Sequence, residues 1–256
     1  MIKQIDFSRY SSIKIGPIVD VQVIDEIGDF DDHTIIGKAN NILVSNSDKK
    51  FAILGSNFDY IKQEGNKLFI GCATSTGKVL SYCRKNDIAN LEFLAKLPGT
   101  MGGVAKMNAG LKSWEIFNHI ISIKTKDGYI KKQDISYSYR DTKIDTIIYE
   151  VVLEIESGFS KDKLKQFNKM RDNQPQIPSA GSCFKNPKGD FAGRLIEEVG
   201  LKGFEKGGMS FSNKHANFLV NNQKGTFEDA IYLINLAKKR VKEKFGINLE
   251  EEIVIY

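Results

Sequence analysis

The stretch Pro98-Gly99-Thr100-Met101-Gly102-Gly103 is the part of the sequence that says most about the fold. Its three glycines let the backbone bend freely and approach a ligand without interference from a Cβ atom. Consecutive N–H groups in such a turn form a cradle for an anion, and the Thr100 hydroxyl adds a polar group. The stretch matches neither the GxGxxG that opens a helix in dinucleotide-binding domains nor the GK[ST] loop of NTPases. We therefore predict a phosphate-binding loop in a fold of another type.

A second candidate loop, Gly55-Ser56-Asn57, directly follows the apolar run Phe51–Leu54. Small polar residues at the end of a strand are well placed to donate hydrogen bonds to phosphate oxygens. An ordinary turn explains this shorter stretch equally well. The sequence therefore predicts two loops, of which the longer is the better supported.

Short apolar runs separated by Gly, Asn and Asp predict strands in the first part of the chain, with a helix over 76–85. Strands with few helices between them indicate an α+β fold rather than a regular βαβ array. Beyond residue 156 the pattern changes, and helices are predicted over 162–171 and 227–245. The predicted strands are Ile42–Val44, Phe51–Leu54, Leu68–Ile70, Ile120–Lys124, Ile147–Ile155 and an edge strand near the C-terminus, after Leu249.

The helix over 227–245 has the clearest signals. Thr226 is positioned to cap its N-terminus, Asp229 stands at the capping-box spacing, and Gly246 fits the position after its end. Its predicted buried face consists of Phe227, Ile231, Ile234, Ala237 and Val241.

Composition narrows the class of protein. The 256 residues carry a net charge of +5, no apolar run is long enough to cross a membrane, and the N-terminus has no signal-peptide pattern. We therefore expect a cytoplasmic protein with no membrane association. The basic residues of 238–244 lie at a helix end and lack interleaved aromatics, so no nucleic-acid partner is expected. The three scattered cysteines, Cys72, Cys83 and Cys183, predict idle thiols and no metal site.

The second half contains the polar stretch Ser179–Pro187. Within it, Ser182 follows a glycine and precedes Lys185 and Asn186. A serine assisted by a neighbouring charge can donate a proton, although a turn serine is the more common explanation. Arg140 can bind a carboxylate through two parallel hydrogen bonds or form a surface ion pair, and Glu252 is either solvated or buried with a partner. Spacing alone does not bring these residues together.

Eight stretches along most of the chain form one ordered set of motifs: Tyr10–Gly16, Leu91–Gly103, Met107–Gly110, Tyr139–Asp141, Pro178–Pro187, Ala192–Glu197, Lys214–Asn221 and Leu249–Ile253. Together they resemble the UDP-N-acetylenolpyruvoylglucosamine reductases, the MurB family of flavoenzymes. The shortness of the chain after residue 156 resembles the shorter subclass. The sequence departs from the family pattern at Ile53 and Cys183.

The resemblance implies a bipartite FAD-binding region of the vanillyl-alcohol-oxidase (PCMH) type over residues 1–156, made of two α+β subdomains. A smaller α+β substrate-binding domain would follow over 157–256, with its last strand returning toward the flavin. It implies non-covalent FAD, NADPH as co-substrate, a UDP-sugar enolpyruvate as substrate and a role in cell-wall synthesis. We expect a monomer that binds these small molecules.

The resemblance also assigns roles to residues. Arg140 and Glu252 would stabilise the enolic species, and Ser182 would supply the proton. Tyr139, Lys185, Asn186, Arg194 and His215 would contact the substrate or NADPH. The residues implied for FAD binding are Gly55, Ser56, Asn57, Pro98, Gly99, Thr100, Gly102, Gly103, Asn108, Ala109 and Gly110.

Two other functions remain to be separated by experiment. A flavin oxidase of the same fold would need a base rather than a proton donor, and would often hold its flavin covalently. A non-catalytic protein that binds a nucleotide sugar would need no flavin. Acid release of free flavin separates the first from the reductase, and a colourless protein would indicate the second.

Overall fold

A computed structural model describes residues 1–45 and 48–256. They form two compact units. The ranges predicted for the flavin and substrate domains, 1–156 and 157–256, stay a prediction, because compactness does not assign a ligand to a unit. The first unit consists of Met1–Lys3, Val21–Gly37 and Lys50–Asp172, and the second of Gln4–Asp20, Lys38–Lys49 and Asn173–Tyr256.

Short strands outnumber helices, in agreement with the predicted α+β class. The helices are α1 (Phe7–Tyr10), α2 (Thr76–Lys85), α3 (Met101–Lys106), α4 (Lys161–Met170), α5 (Ala192–Glu198) and α6 (Phe227–Phe245). The strands are β1 (Ile2–Asp6), β2 (Ile18–Ile24), β3 (Thr34–Ile35), β4 (Ile42–Leu43), β5 (Phe51–Leu54), β6 (Ile61–Glu64), β7 (Lys67–Gly71), β8 (Gly110–Leu111), β9 (Trp114–Glu115), β10 (Ile120–Thr125), β11 (Gly128–Lys131), β12 (Tyr137–Ser138), β13 (Asp141–Thr142), β14 (Glu150–Glu154), β15 (Ser179–Ser182), β16 (Glu205–Lys206), β17 (Met209–Phe211), β18 (Phe218–Asn221) and β19 (Val254–Ile255).

An antiparallel sheet of order β11-β10-β14-β7-β6 forms the centre of the first unit. Its middle strand, β14, has four consecutive buried residues, of which the first is Glu150, so both faces of this strand are covered. The strand predicted over 147–155 was too long, because β14 covers only Glu150–Glu154. Ile147 and Tyr149 are buried in a separate small cluster with Phe58, outside the strand ladder.

A second sheet, β1-β2-β5-β3, brings one candidate loop to a strand end. Strands β2 and β3 pair in parallel with β5, whose predicted bounds are confirmed. Because β5 is followed directly by Gly55, the loop Gly55-Ser56-Asn57 begins at the carboxyl end of an inner strand of this sheet.

Helix α2 has the predicted bounds, whereas helix α3 was not predicted. Two of the six residues of α3 are glycines, which have a low helix propensity. The helix forms because Thr100 caps it and because Met101, Val104 and Ala105 are buried in the core of the first unit. Tertiary packing thus overrides local propensity here.

The second unit contains the sheet β15-β18-β17-β16 and helix α6, whose predicted bounds are confirmed. The capping box of Thr226 and Asp229 is present, and Gly246 ends the helix at φ 71°. The predicted buried face was partly wrong, because Phe227 and Ile231 are only partly buried. The residues of α6 that are buried are Ala230, Leu233, Ile234, Ala237 and Val241.

The C-terminal strand is shorter than predicted. Strand β19 contains only Val254 and Ile255 and pairs in parallel with β4. The acidic residues before it pair instead with the segment 183–185, through a bridge between Phe184 and Glu251. The predicted edge strand therefore contributes to two different pairings.

All three cysteines are buried free thiols, which confirms the prediction of idle thiols. Burial raises the pKa of each thiol, so none is a thiolate at neutral pH. Within residues 1–45 and 48–256, no cluster of three or more His, Cys, Asp or Glu side chains is arranged for a metal ion. In the same ranges, no helix has the length and apolar character needed to cross a bilayer.

Candidate active site

The loop Pro98–Gly103 leads into α3 and uses much of its hydrogen-bonding capacity within the first unit. The N–H of Met101 donates to the carbonyl of Thr74 at 2.9 Å, and that of Gly102 donates to the carbonyl of Cys72 at 3.0 Å. The Thr100 hydroxyl accepts from the N–H of Gly103 at 3.5 Å. The cradle of consecutive free N–H groups predicted for this loop is therefore incomplete. The Thr100 hydroxyl is buried and, while it accepts from Gly103, still carries a proton of its own to donate.

Gly37 lies beside this loop, and the sequence analysis did not single it out. Its φ is +50°, and a Cβ atom added to it would stand 3.1 Å from the Thr100 hydroxyl oxygen. A residue with a side chain would therefore be strained and would crowd Thr100. The sequence offered no signal for this glycine, because no strand was predicted over β3 and Thr100 is more than 60 residues away in the chain.

The loop Gly55-Ser56-Asn57 has a different neighbour. A Cβ atom on Gly55 would stand 1.8 Å from a carboxylate oxygen of Asp25, and the Asn57 amide donates to the Asp25 carbonyl at 2.9 Å. The close carboxylate explains the glycine without a ligand and repels an anion. The two loops are nevertheless connected through the adjacent residues Ala73 and Thr74. The N–H of Ala73 donates to the carbonyl of Phe58, just after the Gly55 loop, and the carbonyl of Thr74 accepts from the N–H of Met101 in the Pro98–Gly103 loop.

Asn108 is a hub that holds the segment Asn108-Ala109-Gly110 in place. It is fully buried at φ +43°, and its amide nitrogen donates to Glu115 Oε2 at 2.9 Å and to the Ser138 carbonyl at 3.0 Å. Its amide oxygen accepts from the N–H of Phe117 at 3.2 Å. These contacts connect three chain segments, so the side chain of Asn108 has a structural role.

Arg140 lies in the turn of the β12–β13 hairpin with φ +55°. Its guanidinium donates from Nη2 to the Gly110 carbonyl at 2.7 Å and from Nη1 to the Asn108 carbonyl at 3.4 Å. Nη1 is also 3.4 Å from Glu115 Oε1, and the guanidinium is 4.8 Å from the centre of the Tyr139 ring. The structure thus brings Arg140 to the segment 108–110, with the Tyr139 ring against its guanidinium.

Ser182 lies at the end of β15 in the second unit. Gly181, before it, has φ +79°, a conformation that favours glycine, and the strand pairs irregularly between Ser179 and Ser182. The next two residues are held by Asn217, which accepts from the Cys183 N–H at 2.7 Å through its carbonyl. Ser182 therefore stands at an irregular strand end whose continuation is fixed.

Glu252 is held against the same segment. Its N–H donates to the Cys183 carbonyl at 2.9 Å, and its own carbonyl accepts from the Asn41 amide at 2.8 Å. Ser182 and Glu252 therefore both flank Cys183 within the second unit. Arg140 belongs to the first unit, and its convergence with these two residues stays a prediction.

Lys185 and Asn186 follow on the same segment. Lys185 Nζ donates to Glu250 Oε1 at 2.6 Å, with 20% of the lysine side chain exposed. The Asn186 side-chain oxygen accepts from the N–H of Ala192 at 3.1 Å and so supports the start of α5. Both side chains thus have protein partners that a ligand would have to replace or share.

Arg194 and His215 lie on neighbouring parts of the second unit. Arg194 forms a two-point contact with Asp190, and this guanidinium lowers the pKa of Asp190 to about 2. His215 Nδ1 accepts from the N–H of Asn217 at 3.3 Å, and burial lowers the pKa of its imidazole. A Cβ atom on Gly193 would be 3.2 Å from His215 Cε1, which explains the glycine that precedes Arg194.

Sequence reasoning gave no role to Glu115, Asn217 or Asp25. Glu115 contacts Arg140, Asn217 holds the residues after Ser182, and Asp25 faces Gly55. Asn217 lies in the matching stretch Lys214–Asn221, but neither it nor the other two residues stood out, because each acts through contacts with residues elsewhere in the sequence.

Known proteins match this chain over nearly its whole length. The model of the UDP-N-acetylenolpyruvoylglucosamine reductase, C-terminal domain (MurB_C), matches residues 173–256. The UDP-N-acetylenolpyruvoylglucosamine reductase of Campylobacter jejuni strain RM1221 is 46% identical, covering 98% of this chain and 99% of its own. The enzyme of that name from Helicobacter hepaticus is 48% identical, covering 98% and 97%.

A solved structure shows the same fold. It is the UDP-N-acetylenolpyruvylglucosamine reductase (MurB) of Thermus caldophilus, with a TM-score of 0.87, 23% identity, and coverage of 100% of this chain and 99% of that one. This likeness confirms the predicted fold class, α+β with a bipartite region of the vanillyl-alcohol-oxidase (PCMH) type and a smaller second domain. The relatives are reductases, which confirms the predicted enzyme class, an oxidoreductase. By its identity with relatives over nearly its full length, the chain belongs to the family of UDP-N-acetylenolpyruvoylglucosamine reductases.

Proposed function

We propose that this enzyme reduces the enolpyruvyl ether of UDP-N-acetylglucosamine to UDP-N-acetylmuramate, with NADPH as the electron donor and FAD as the carrier, in peptidoglycan synthesis. Membership of the family supports the overall reaction. The observation that carries the assignment of the site is the hydrogen bond from the Glu252 N–H to the Cys183 carbonyl. It joins Glu252, the proposed acid, to the residue that directly follows Ser182, the proposed proton donor.

The first unit has features that fit a non-covalently bound FAD. Thr100 presents a hydroxyl beside Gly37, where a side chain would crowd it, and the segment Asn108-Ala109-Gly110 is held rigidly by buried hydrogen bonds. The contacts proposed at Pro98, Gly99, Gly102 and Gly103 would be made by the backbone. The loop Gly55-Ser56-Asn57 is the weaker candidate because the Asp25 carboxylate lies against Gly55. When bound, FAD supplies the hydride that it has received from NADPH.

Arg140 and Glu252 are proposed to stabilise charge on the substrate. Addition of a hydride to the terminal enolpyruvyl carbon leaves negative charge on the α-carbon and its carboxylate. A guanidinium binds such a carboxylate through parallel hydrogen bonds, and each well-aimed donor is worth roughly 3 kcal/mol in the transition state. Glu252 serves this role only with a proton to donate or share.

Ser182 is proposed to donate its hydroxyl proton to the α-carbon. The new C–H bond completes the reduction, and the serine regains a proton from solvent. Its place at an irregular strand end, beside a glycine in the left-handed region, sets the direction of the hydroxyl through the backbone. For such a proton donor, correct placement against the α-carbon is the first requirement and a favourable pKa is the second.

Tyr139, Lys185, Asn186, Arg194 and His215 are proposed to contact the UDP-sugar or NADPH. Lys185 and Arg194 already pair with acidic residues, so binding of an anion would exchange one partner for another. We also propose that the enzyme is a cytoplasmic monomer whose ligands are small molecules, with no nucleic-acid partner.

The test is an anaerobic absorbance titration of the purified enzyme. NADPH is expected to bleach the flavin band, and the sugar nucleotide enolpyruvate is expected to restore it. Ser182→Ala is expected to bleach normally and to recover about 100-fold or more slowly, within the range of lost acid–base catalysis. Ser179→Ala, the same substitution on the same strand, is expected to recover at the wild-type rate.

Each contrary result identifies an alternative. A protein without a flavin band would be the nucleotide-sugar-binding protein. A flavin that is bleached but recovers only with oxygen would indicate an oxidase. Equal recovery of Ser182→Ala and wild type would remove Ser182 from the mechanism while leaving the overall reaction standing.

A further inference from the structure

We infer that Glu115 is a positioning residue, which orients the guanidinium of Arg140 for the substrate carboxylate. This rests on the proposed function, in which Arg140 binds that carboxylate. Glu115 stands at the end of β9, and its two carboxylate oxygens contact two different donors. Oε2 accepts from the Asn108 amide at 2.9 Å, and Oε1 lies 3.4 Å from Arg140 Nη1.

Glu115 and Arg140 are largely shielded from solvent. The side chains are 20% and 11% exposed, respectively. Charged pairs in such surroundings are screened less by water and salt than surface pairs. The contact therefore has more influence on the side-chain geometry than an exposed ion pair would.

The chemistry of this contact requires a carboxylate. An Asn amide nitrogen and a guanidinium are both donors, so the residue between them has to present two acceptor oxygens. A glutamine would place its own NH₂ group against one of these donors. Glu115 thus satisfies Asn108 and Arg140 together, and the isosteric amide would satisfy one at most.

The guanidinium is held on more than one side. Its nitrogens also donate to the carbonyl oxygens of Asn108 and Gly110, and its residue is at φ +55°. Asn108 in turn donates to the Ser138 carbonyl on the same hairpin. Glu115 therefore connects the hairpin that bears Arg140 to the hub that supports segment 108–110.

Glu115 has two opposing effects on the proposed reaction. Its negative charge weakens the attraction of Arg140 for an anionic substrate, whereas its contact fixes the direction of the guanidinium. We expect the orientation to dominate, because a misplacement of about 1 Å can cost up to about 100-fold in rate. Removal of the carboxylate charge is then expected to slow the reaction rather than speed it.

The experiment measures the two half-reactions separately in the FAD-loaded enzyme. Glu115→Gln is expected to be bleached by NADPH at the wild-type rate and to be reoxidised by the sugar nucleotide between about 10- and 100-fold more slowly. Glu154→Gln, the same change at an exposed carboxylate, is expected to match wild type in both. If Glu115→Gln fails to retain flavin, Glu115→Asp, which keeps both oxygens on a shorter chain, replaces it.

A double-mutant cycle separates positioning from general structure. In the Arg140→Ala enzyme, the added Glu115→Gln change is expected to leave the reoxidation rate within about twofold, since Glu115 acts through Arg140. An additive loss in the double variant, or a Glu115→Gln rate within twofold of wild type, would overturn the inference. Failure of the proposed function is distinct, because the wild-type enzyme itself would then lack one of the two half-reactions.

Discussion

Asn217 and Phe184 bind each other through two hydrogen bonds within the second unit. The Asn217 amide nitrogen donates to the Phe184 carbonyl at 2.8 Å, and the Phe184 N–H donates to the Asn217 side-chain oxygen at 3.0 Å. Phe184 is fully buried, so neither of its backbone groups can turn to water instead. The side chain of one residue thereby completes the backbone hydrogen bonding of another that is distant in sequence.

Replacement of Asn217 by alanine is expected to destabilise the protein by about 2 to 4 kcal/mol, because it leaves two buried backbone groups without partners. Urea unfolding followed by circular dichroism measures this loss. Asn222→Ala is the matched control, since Asn222 is exposed and bonds to Ser210 and Glu205 side chains. The control is expected to lose less than about 1 kcal/mol, and equal losses in both variants would contradict the assigned role.

Gly37→Ala is expected to weaken FAD binding about 10-fold, which corresponds to roughly 1.4 kcal/mol. The new Cβ would lie 3.1 Å from the Thr100 hydroxyl oxygen that we propose faces the cofactor. Fluorescence titration of the apoprotein with FAD measures the change. The control is Gly65→Ala, which has a similar φ of +57° but no atom within 4 Å of the added Cβ. If Gly37→Ala and Gly65→Ala bind FAD equally tightly, even though they differ in stability, Gly37 does not lie at the cofactor.

Helix α6 and the contacts around Arg140 differ in how much of them the sequence alone could predict. The bounds of helix α6 were predicted correctly, because its sequence has an N-cap residue, apolar residues at helical spacing and a glycine just after its end. The contacts of Asn108, Glu115 and Arg140 join residues far apart in the chain and depend on two left-handed backbone positions. No local pattern encodes such geometry. The residues alone left Arg140 open to a surface ion pair or to binding a carboxylate, and only the resemblance assigned it to the site.

The Asp190–Arg194 pair is expected to titrate at unusually low pH. Hydrogen bonds from Arg194 lower the pKa of Asp190 to about 2 in the folded protein. A carboxyl with a lowered folded pKa stabilises the fold above its unfolded pKa of about 3.9, and this contribution disappears as the pH falls through 2. Carboxyl-carbon NMR is expected to show the low midpoint. In Arg194→Gln, the midpoint is expected to rise toward 3.9, and an unchanged midpoint would exclude Arg194 as its main cause.

His215 is expected to act as an acid-sensitive support of Asn217. Its Nδ1 accepts from the Asn217 N–H, so the neutral ring carries its proton on Nε2. Because burial lowers the folded pKa of this imidazole, its contribution to stability is present above the unfolded pKa of about 6.5. That contribution is lost as the pH falls through the folded value, where a protonated Nδ1 would face another donor.

Imidazole nitrogen NMR at pH 7.5 is expected to show the Nε2–H form of His215, and hydrogen exchange is expected to report the loss of the contact on acidification. After correction for the intrinsic pH dependence of exchange, the protection of the Asn217 amide should fall as His215 becomes protonated. In His215→Asn, the side-chain oxygen still accepts from this amide but gains no proton near neutral pH, so the extra loss should be absent. An equal loss of protection in both proteins would show that the acid sensitivity arises elsewhere.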